Sequence, residues 1–470
     1  MAAINKDCKN NKNVVVVIVI VPYPAQSHLN MFLNLSHLVI SSSQNNIPVH
    51  YVTSTQHLNQ LKLRHPDLTN NTGLILREFP MPSCDKIADV FKSVHHLTTP
   101  VSGLLRSLSA KYDKVVVIHD ALMASVVEDV TGVPNAKAYT FHTVSTFSIF
   151  VNLWRIYPDK PFALDPPDVL PSYLPSVANT HIPSDFGAFI AKEWTLNFQI
   201  DAGTLYNGSR AVEGTYVGLL EKLYPLKKHF AVGPTISNKF VPCHSKSDQN
   251  ASTEVAADTR LECLTWLDNQ KKDSVIFVSF GTTVSLPETV IQELATGLEK
   301  SGHKFMWVIR QADKGDIFTN GDDQEEVEVK KLLPDGFFER VGDRGMVISG
   351  EWVPQVEILG HHSVGGFMTH CGWGSLTESM TMGVPVIAYP MHSDQPMNSV
   401  LVTEVLKVGF LIRDDFWETR RQQTITSDII ENVVKKLMGS EEGEGMRKRA
   451  KDIGQSLRGS MAQGGASQLD

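Results

Sequence analysis

From Thr369 to Glu378 the chain reads THCGWGSLTE. The short apolar run GGFM precedes it, and SLTESMTMG follows with helical spacing and stops at Gly383. The segment therefore predicts a strand, a turn built on Gly372 and Gly374, and the start of a helix. Free backbone N–H groups and the helix dipole at such a start favour an anion. Ser375 can add a hydroxyl, and His370 can donate from the strand end. Glu378 lies one helical turn past Ser375 on the same face, where a carboxylate can accept two vicinal ribose hydroxyls. Phosphate and ribose together point to a nucleotide. Taken alone, the same residues also describe a plain glycine turn among surface groups, which is the commoner use of a lone turn. No Lys-Ser or Lys-Thr pair follows the glycines and no Gly-x-Gly-x-x-Gly occurs there, so neither a Walker A loop nor a dinucleotide oxidoreductase is indicated.

A second constellation lies near the start. VPYPAQSHLN places His28 just beyond an apolar run and at the mouth of a helix, and VVVIHDAL places Asp120 at the end of another such run. Two parallel strands would bring both residues to one edge of one sheet. An aspartate that accepts from one imidazole nitrogen orients the ring, so that the other nitrogen can take a proton from a hydroxyl. This is the logic of a serine triad with the substrate hydroxyl in place of the serine. A lone histidine at a helix start is more often structural. His119 should point to the opposite face of the strand.

Both constellations need strand ends to carry them, and the pattern supplies these. Strands are predicted at NVVVVIVIV, PVHYVTS, LILREF, KVVVIHD and AKAYTF in the first half, then at SVIFVSFG, KFMWVIR, GMVISGEWVPQ, GGFMTH and VPVIAYP, with helical stretches between them. Alternation of this kind implies parallel sheets with helices on both faces. The polar stretch from Ser237 to Arg260 lacks periodicity and reads as a linker, and NGDDQEEVEVKK reads as a solvated loop. The fold class is thus α/β, with two Rossmann-like, doubly wound domains facing across a cleft. Residues 1–245 form the first domain, 246–260 the linker and 261–470 the second. Ligands of such sheets bind at the carboxyl ends of the strands.

Bulk properties narrow the classes. A net charge of −8 on 470 residues argues against nucleic acid or anionic membrane as a partner. The run VVVVIVIV is too short to span a bilayer. It is followed by Pro22 and Pro24 without a small-residue cleavage site, so it reads as a buried strand rather than a signal peptide. Five scattered cysteines without a CxxC indicate neither a disulfide framework nor a zinc site. The expectation is a monomeric, cytoplasmic protein.

The segment from Trp352 to Gln395, WVPQVEILGHHSVGGFMTHCGWGSLTESMTMGVPVIAYPMHSDQ, resembles the signature box of the plant family-1 UDP-sugar glycosyltransferases. VPYPAQSHLN, VPVHYVTSTQH, SFGTT and MHSDQPMNSVLVTEVLKVG extend the resemblance over almost the whole chain, most closely to the zeatin O-glucosyltransferase and O-xylosyltransferase branch. The resemblance implies the GT-B fold and a role for each matching residue. Trp352 would stack on uracil while the Val353 backbone pairs with its edge. Gln355 and Glu378 would bind ribose, and His370 and Ser375, at the Gly372 and Gly374 turn, would hold the diphosphate. Trp373, Asp394 and Gln395 would contact sugar hydroxyls, with Thr143 touching the sugar and Thr282 the donor. His28 would be the base and Asp120 its partner.

The implied reaction is an inverting transfer of glucose from UDP-glucose, or of xylose, to a hydroxyl of a small metabolite. It would need no metal and no cofactor beyond the UDP-sugar co-substrate. A catalytically silent nucleotide-sugar binding protein is the alternative, and an epimerase or hydrolase on the same fold a third reading. Two positions depart from the family. Gly374 stands where an asparagine usually contacts phosphate, and Ser27 where a glycine usually precedes the base. The family's chains also continue beyond a point like GGASQLD with a short hydrophobic helical end. The resemblance therefore implies an incomplete C-terminus, and a terminal helical segment returning to the first domain.

Overall fold

The computed structural model describes residues 14–43, 47–64, 68, 73–82, 87–176, 180–236, 262–281, 286–309, 331–349, 353–412, 425–462 and 464–470. The expected linker at 246–260 and the site candidates Thr282 and Trp352 lie outside these residues, as does nearly all of the acidic insert.

Two parallel sheets organise the described residues. The first contains β1 (Val16–Val21), β2 (Val49–Ser54), β3 (Leu74–Phe79), β4 (Lys114–Asp120), β5 (Ala136–His142), β6 (Asp201–Tyr206) and β7 (Lys228–Ala231). Their spatial order is β3-β2-β1-β4-β5-β6-β7. The second contains β8 (Val275–Ser279), β9 (Lys304–Ile309), β10 (Gly345–Ser349), β11 (Val364–Thr369), β12 (Val386–Ala388) and β13 (Gly409–Leu411), in the order β10-β9-β8-β11-β12-β13. Each order reverses once, between β1 and β4 and between β8 and β11. These are the switch points at which crevices open in doubly wound sheets.

The central strands are apolar throughout because both of their faces are covered. In β1, Val17, Val19 and Val21 enter one core cluster while Ile18 and Ile20 enter the cluster on the other face. In β8, Val275 and Phe277 face one cluster and Ile276 and Val278 the other. Burying each such side chain contributes about 1.5–3 kcal/mol, so a polar residue at any of them would be costly. The weaker strands β6, β7 and β13 escape the apolar pattern. β6 reads DAGTLY, and its Gly203 leaves room for the β7 backbone, since a Cβ there would lie 3.0 Å from the Lys228 carbonyl oxygen.

A shared core joins the two lobes. Phe147, Phe150 and Trp154 of the first lobe belong to one cluster with Trp373, Leu376, Met397 and Leu401 of the second. The indole N–H of Trp373 donates to the Asn207 carbonyl at 2.7 Å, and the Ser393 N–H donates to the Thr180 carbonyl at 2.7 Å. The helix Glu441–Met461 packs against the helices Trp373–Met382 and Arg210–Leu223, thereby touching both lobes. Beyond it, Asp470 accepts from Arg210 Nε at 2.6 Å and from the Ala231 N–H at 3.2 Å. Trp373→Phe keeps an aromatic ring, though a smaller one, and leaves the buried Asn207 carbonyl without its donor. Such a loss costs about 1–3 kcal/mol. A lower denaturant midpoint is expected, and an unchanged midpoint would show that the indole N–H adds nothing to the lobe contact.

Candidate active site

The first half of the site follows from the register of β1 against β4. Val21 lies opposite His119, so the carboxyl ends of the two strands are level. After β1 the chain turns through Pro22 to Ala25 and enters the helix Gln26–Ser42, which places His28 in the first helical turn. β4 ends at Asp120, whose side chain is 1% exposed. His28 Nδ1 lies 2.7 Å from Asp120 Oδ2 and 3.2 Å from Thr143 Oγ1. Asp120 Oδ1 accepts from the Leu122 N–H at 3.0 Å, which fixes the second carboxylate oxygen. A carboxylate can only accept, so the proton sits on Nδ1 and the neutral ring carries its lone pair on Nε2. Tyr23 meets the imidazole edge-on, with ring centroids 5.5 Å apart.

The charge balance on His28 is a contest. Burial pulls its pKa down, but the charge and hydrogen bond of Asp120, with a contribution from Asp394, leave it raised above the usual histidine value. Asp394 belongs to the second lobe, so charges from both lobes act on this imidazole. His119 turns the other way, as its strand position predicts, and meets Asp201 at 3.0 Å. Ser27 is exposed in the first helical turn and is not among the residues with positive φ, so its Cβ meets no backbone penalty.

The second half sits at the β8/β11 switch point. Thr369 lies opposite Ser279, so Gly281 and His370 leave neighbouring strand ends together. Gly281 has φ +78°, and a Cβ there would lie 2.8 Å from His370 Nε2. A Cβ on Gly372 would lie 2.5 Å from the same nitrogen. The imidazole is thus wedged between two glycines that must stay glycines. Burial lowers the His370 pKa to about 4, so at neutral pH it can offer an anion an N–H dipole but no charge. The helix Trp373–Met382 starts directly after Gly372, with its first internal bond from the Leu376 N–H to the Gly372 carbonyl, and ends at Gly383 with φ +77°. The N–H groups of its first turn are left for a ligand.

Gln355, Ser375 and Glu378 come together. Gln355 Nε2 donates to Glu378 Oε2 at 2.7 Å and to Ser375 Oγ at 3.1 Å. Burial lifts the Glu378 pKa to about 7, against that hydrogen bond. Val353 is buried, with its carbonyl accepting from the Gln355 N–H. Asp394 and Gln395 follow β12, and burial raises the Asp394 pKa against hydrogen bonds from Asn398 and its own backbone and the charge of His28.

Several residues stand differently from the sequence reading. Thr143, expected on the sugar, has its hydroxyl oxygen 3.2 Å from His28 Nδ1. Trp373, also expected on the sugar, is 3% exposed with its indole N–H already engaged across the lobes. The Gln395 side-chain carbonyl accepts from the Met391 and His392 N–H groups, so it braces its own loop. At Gly374, a Cβ would lie 2.9 Å from the Met31 methyl of the first lobe. Neither Tyr23 nor Met31 was singled out from sequence. Tyr23 lies between the two prolines of the His28 loop, and Met31 sits three residues beyond His28 on the same helix, which were the available signals. Asp120→Asn removes the charge that holds the His28 pKa up while leaving burial in place. The imidazole is expected to titrate below the usual histidine value of about 6.5 in NMR. An unchanged midpoint would mean that Asp120 does not govern this ring.

Comparison with known proteins agrees with the arrangement. The family described as "Glycosyltransferase, N-terminal domain" matches residues 14–237, and "UDP-glucoronosyl and UDP-glucosyl transferase" matches residues 242–442. The chain is 41% identical to a zeatin O-glucosyltransferase of Phaseolus lunatus, over 97% of this chain and 95% of that protein. It is also 41% identical to a zeatin O-xylosyltransferase of Phaseolus vulgaris, over 98% of this chain and 97% of that one. Among solved structures, a UGT transferase from Siraitia grosvenorii in complex with UDP matches with a TM-score of 0.73 at 25% identity, covering 97% of both chains. With both halves matched and identity sustained from end to end, the chain belongs to the UDP-glycosyltransferase family and has its two-lobed GT-B fold.

Proposed function

We propose that this enzyme transfers glucose from UDP-glucose, with UDP-xylose as the alternative donor, to a hydroxyl of a small plant metabolite such as a cytokinin-like alcohol, a phenolic, a terpenoid or a glycoside. The observation that carries the reading is the His28–Asp120 pair of one lobe lying within electrostatic reach of Asp394 of the other. The 41% identity to zeatin O-glucosyl- and O-xylosyltransferases supports the choice of donors and acceptor class.

The reaction is a single displacement. His28 Nε2 takes the proton of the acceptor hydroxyl as its oxygen bonds to C1 of the sugar. The bond from C1 to the diphosphate oxygen breaks on the opposite face, and its electron pair leaves with UDP. An α-linked donor gives a β-glycoside. Charge growing on the diphosphate meets the N–H groups of the 373–382 helix, the Ser375 hydroxyl and the His370 N–H. These donors require no metal, so full rate with a chelator present is part of the proposal. Monomeric, cytoplasmic action completes it.

A donor-by-acceptor screen with mass detection tests the reading. His28→Ala should bind UDP normally while losing transfer by on the order of 10²–10⁴-fold. Wild-type rates from that variant would remove His28 from the mechanism. UDP binding without any transfer by the wild-type chain would favour a silent binding protein. Glu378 gives a second test, because an ionised carboxylate accepts ribose hydroxyls best. With its pKa at about 7, KM for the donor should fall as pH rises through neutrality. Glu378→Gln should flatten that dependence and raise KM by about tenfold or more. A pH-dependent KM persisting in Glu378→Gln would place the titration elsewhere.

A further inference from the structure

We propose that Asn398 is a positioning residue for transfer, a buried amide that sets the Asp394 carboxylate and locks it to the first lobe. The assignment rests on the donor site proposed above and adds to it the device that orients one sugar-facing group.

Asn398 is fully buried in the helix Gln395–Val400, one turn after Asp394. Its Nδ2 donates to Asp394 Oδ2 at 2.7 Å and to the Cys371 carbonyl at 3.0 Å. Its Oδ1 accepts from Ser145 Oγ at 2.7 Å. Both amide hydrogens therefore have acceptors and the amide oxygen has a donor, which allows only one orientation of the group. Each of the three partners matters to the site. Asp394 is the carboxylate near His28. Cys371 carries a positive φ of 66° in the turn between His370 and Gly372, so its carbonyl direction sets the turn that faces the anion. Ser145 caps the helix Thr146–Ile156, accepting from the Ser148 N–H at 3.1 Å, and stands two residues from Thr143, whose hydroxyl touches His28.

The first-lobe end of the relay is itself held. Buried Glu213 accepts from the Phe147 N–H at 3.0 Å and from the Thr146 hydroxyl at 3.4 Å. A rigid path thus runs from the base through Thr143 and Ser145 to Asn398 and on to Asp394. A hydrogen-bonded group buried on all sides loses little entropy when the sugar arrives, which is how an orienting shell helps a reacting one.

Replacing Asn398 with Asp tests the amide through its donors. The new carboxyl would face the Asp394 carboxylate, the Cys371 carbonyl and the Ser145 hydroxyl. The other titratable groups around it are the His28–Asp120 pair of the first lobe, and His370 and the Cys371 thiol of the turn. Two carboxyls so close cannot both ionise, so the pair keeps one proton until its upper apparent pKa is passed. Dissociation constants for UDP-glucose and for UDP, measured by calorimetry from about pH 6 to about pH 9, separate the sugar end from the nucleotide end. In Asn398→Asp the preference for UDP-glucose over UDP, relative to wild type, should fall about tenfold per pH unit above that pKa. kcat/KM for transfer should follow it.

Ser145→Ala is the uncharged companion, in case Asn398→Asp does not fold. It should weaken UDP-glucose binding about two- to tenfold, leave UDP binding unchanged, and show no new pH dependence. A merely structural amide would lower the melting temperature while both ligands weakened together, and that result overturns the proposal. So does a wild-type ligand preference in both variants while the wild-type enzyme transfers sugar. A wild-type chain that binds no UDP brings down the function reading first, and this assignment with it.

Discussion

The 2.7 Å contact between His28 and Asp120 depends on a constraint that neither residue supplies. β1 and β4 are neighbours although two strands, β2 and β3, come between them in the chain, because the first sheet winds outward from β1 in both directions. Only at that reversal do two consecutive crossovers leave on opposite faces and open a crevice above the strand ends. The second sheet repeats the device at β8 and β11, where Gly281 and His370 emerge side by side. The chemistry of both lobes is thus anchored where a parallel sheet leaves room for it.

Burial acts on these groups in opposite senses, and the result suits a reaction that moves one proton and expels an anion. His370 is desolvated without a charge to offset it, so it stays neutral and can donate only as a dipole. His28 is desolvated too, but Asp120, with a contribution from Asp394, more than compensates. For the proposed role of His28, a raised pKa means a stronger base once deprotonated, at the expense of a smaller deprotonated fraction near neutrality. Glu378 and Asp394 are both lifted by burial, which leaves them responsive to whatever hydroxyls replace water beside them. Among the described residues, Gln355 is the partner that Glu378 and Ser375 share, an amide that can release both without taking a charge away from them.

The sequence was most legible where physics is local. Runs buried on both faces, such as VIVIV from Val17 to Val21, have few alternatives to a central strand, and Gly302 and Gly383 ended their helices as left-handed caps. The bend at THCGWGS could likewise be read from its glycines and the helical spacing after them. Pairings across the lobes were not legible. Ser145 and Asn398 are separated by 253 positions, and only the packing of the 146–156 helix on the 395–400 helix brings them together. The spacing of Asp394 and Asn398 at i and i+4 was visible, but its meaning needed the partner from the other lobe. Trp373 shows the same limit. An indole beside glycines reads as a ligand contact until the Asn207 carbonyl is seen to occupy its N–H. β6, β7 and β13 went unread because short peripheral strands need not be apolar on both faces.

Gly374 illustrates how one position can serve both lobes. If the 373–382 helix start holds the diphosphate as proposed, a glycine in place of the asparagine that the family resemblance leads one to expect forgoes one neutral hydrogen bond, about 0.5–1.5 kcal/mol. The ground that side chain would occupy is met by the Met31 methyl, 2.9 Å from where a Cβ would lie. Met31 is on the same helix as His28, less than one turn further along, and is itself buried. An asparagine at this position would therefore have to displace a side chain of the helix that carries the base. A thioether end is flexible and can yield, but where it moves decides whether His28 keeps its angle to Asp120. The missing amide and the methionine are thus one coupled feature, in which donor-side hydrogen bonding is exchanged for apolar contact between the lobes. Introducing an amide here would therefore disturb the contact between the lobes as well as add a donor.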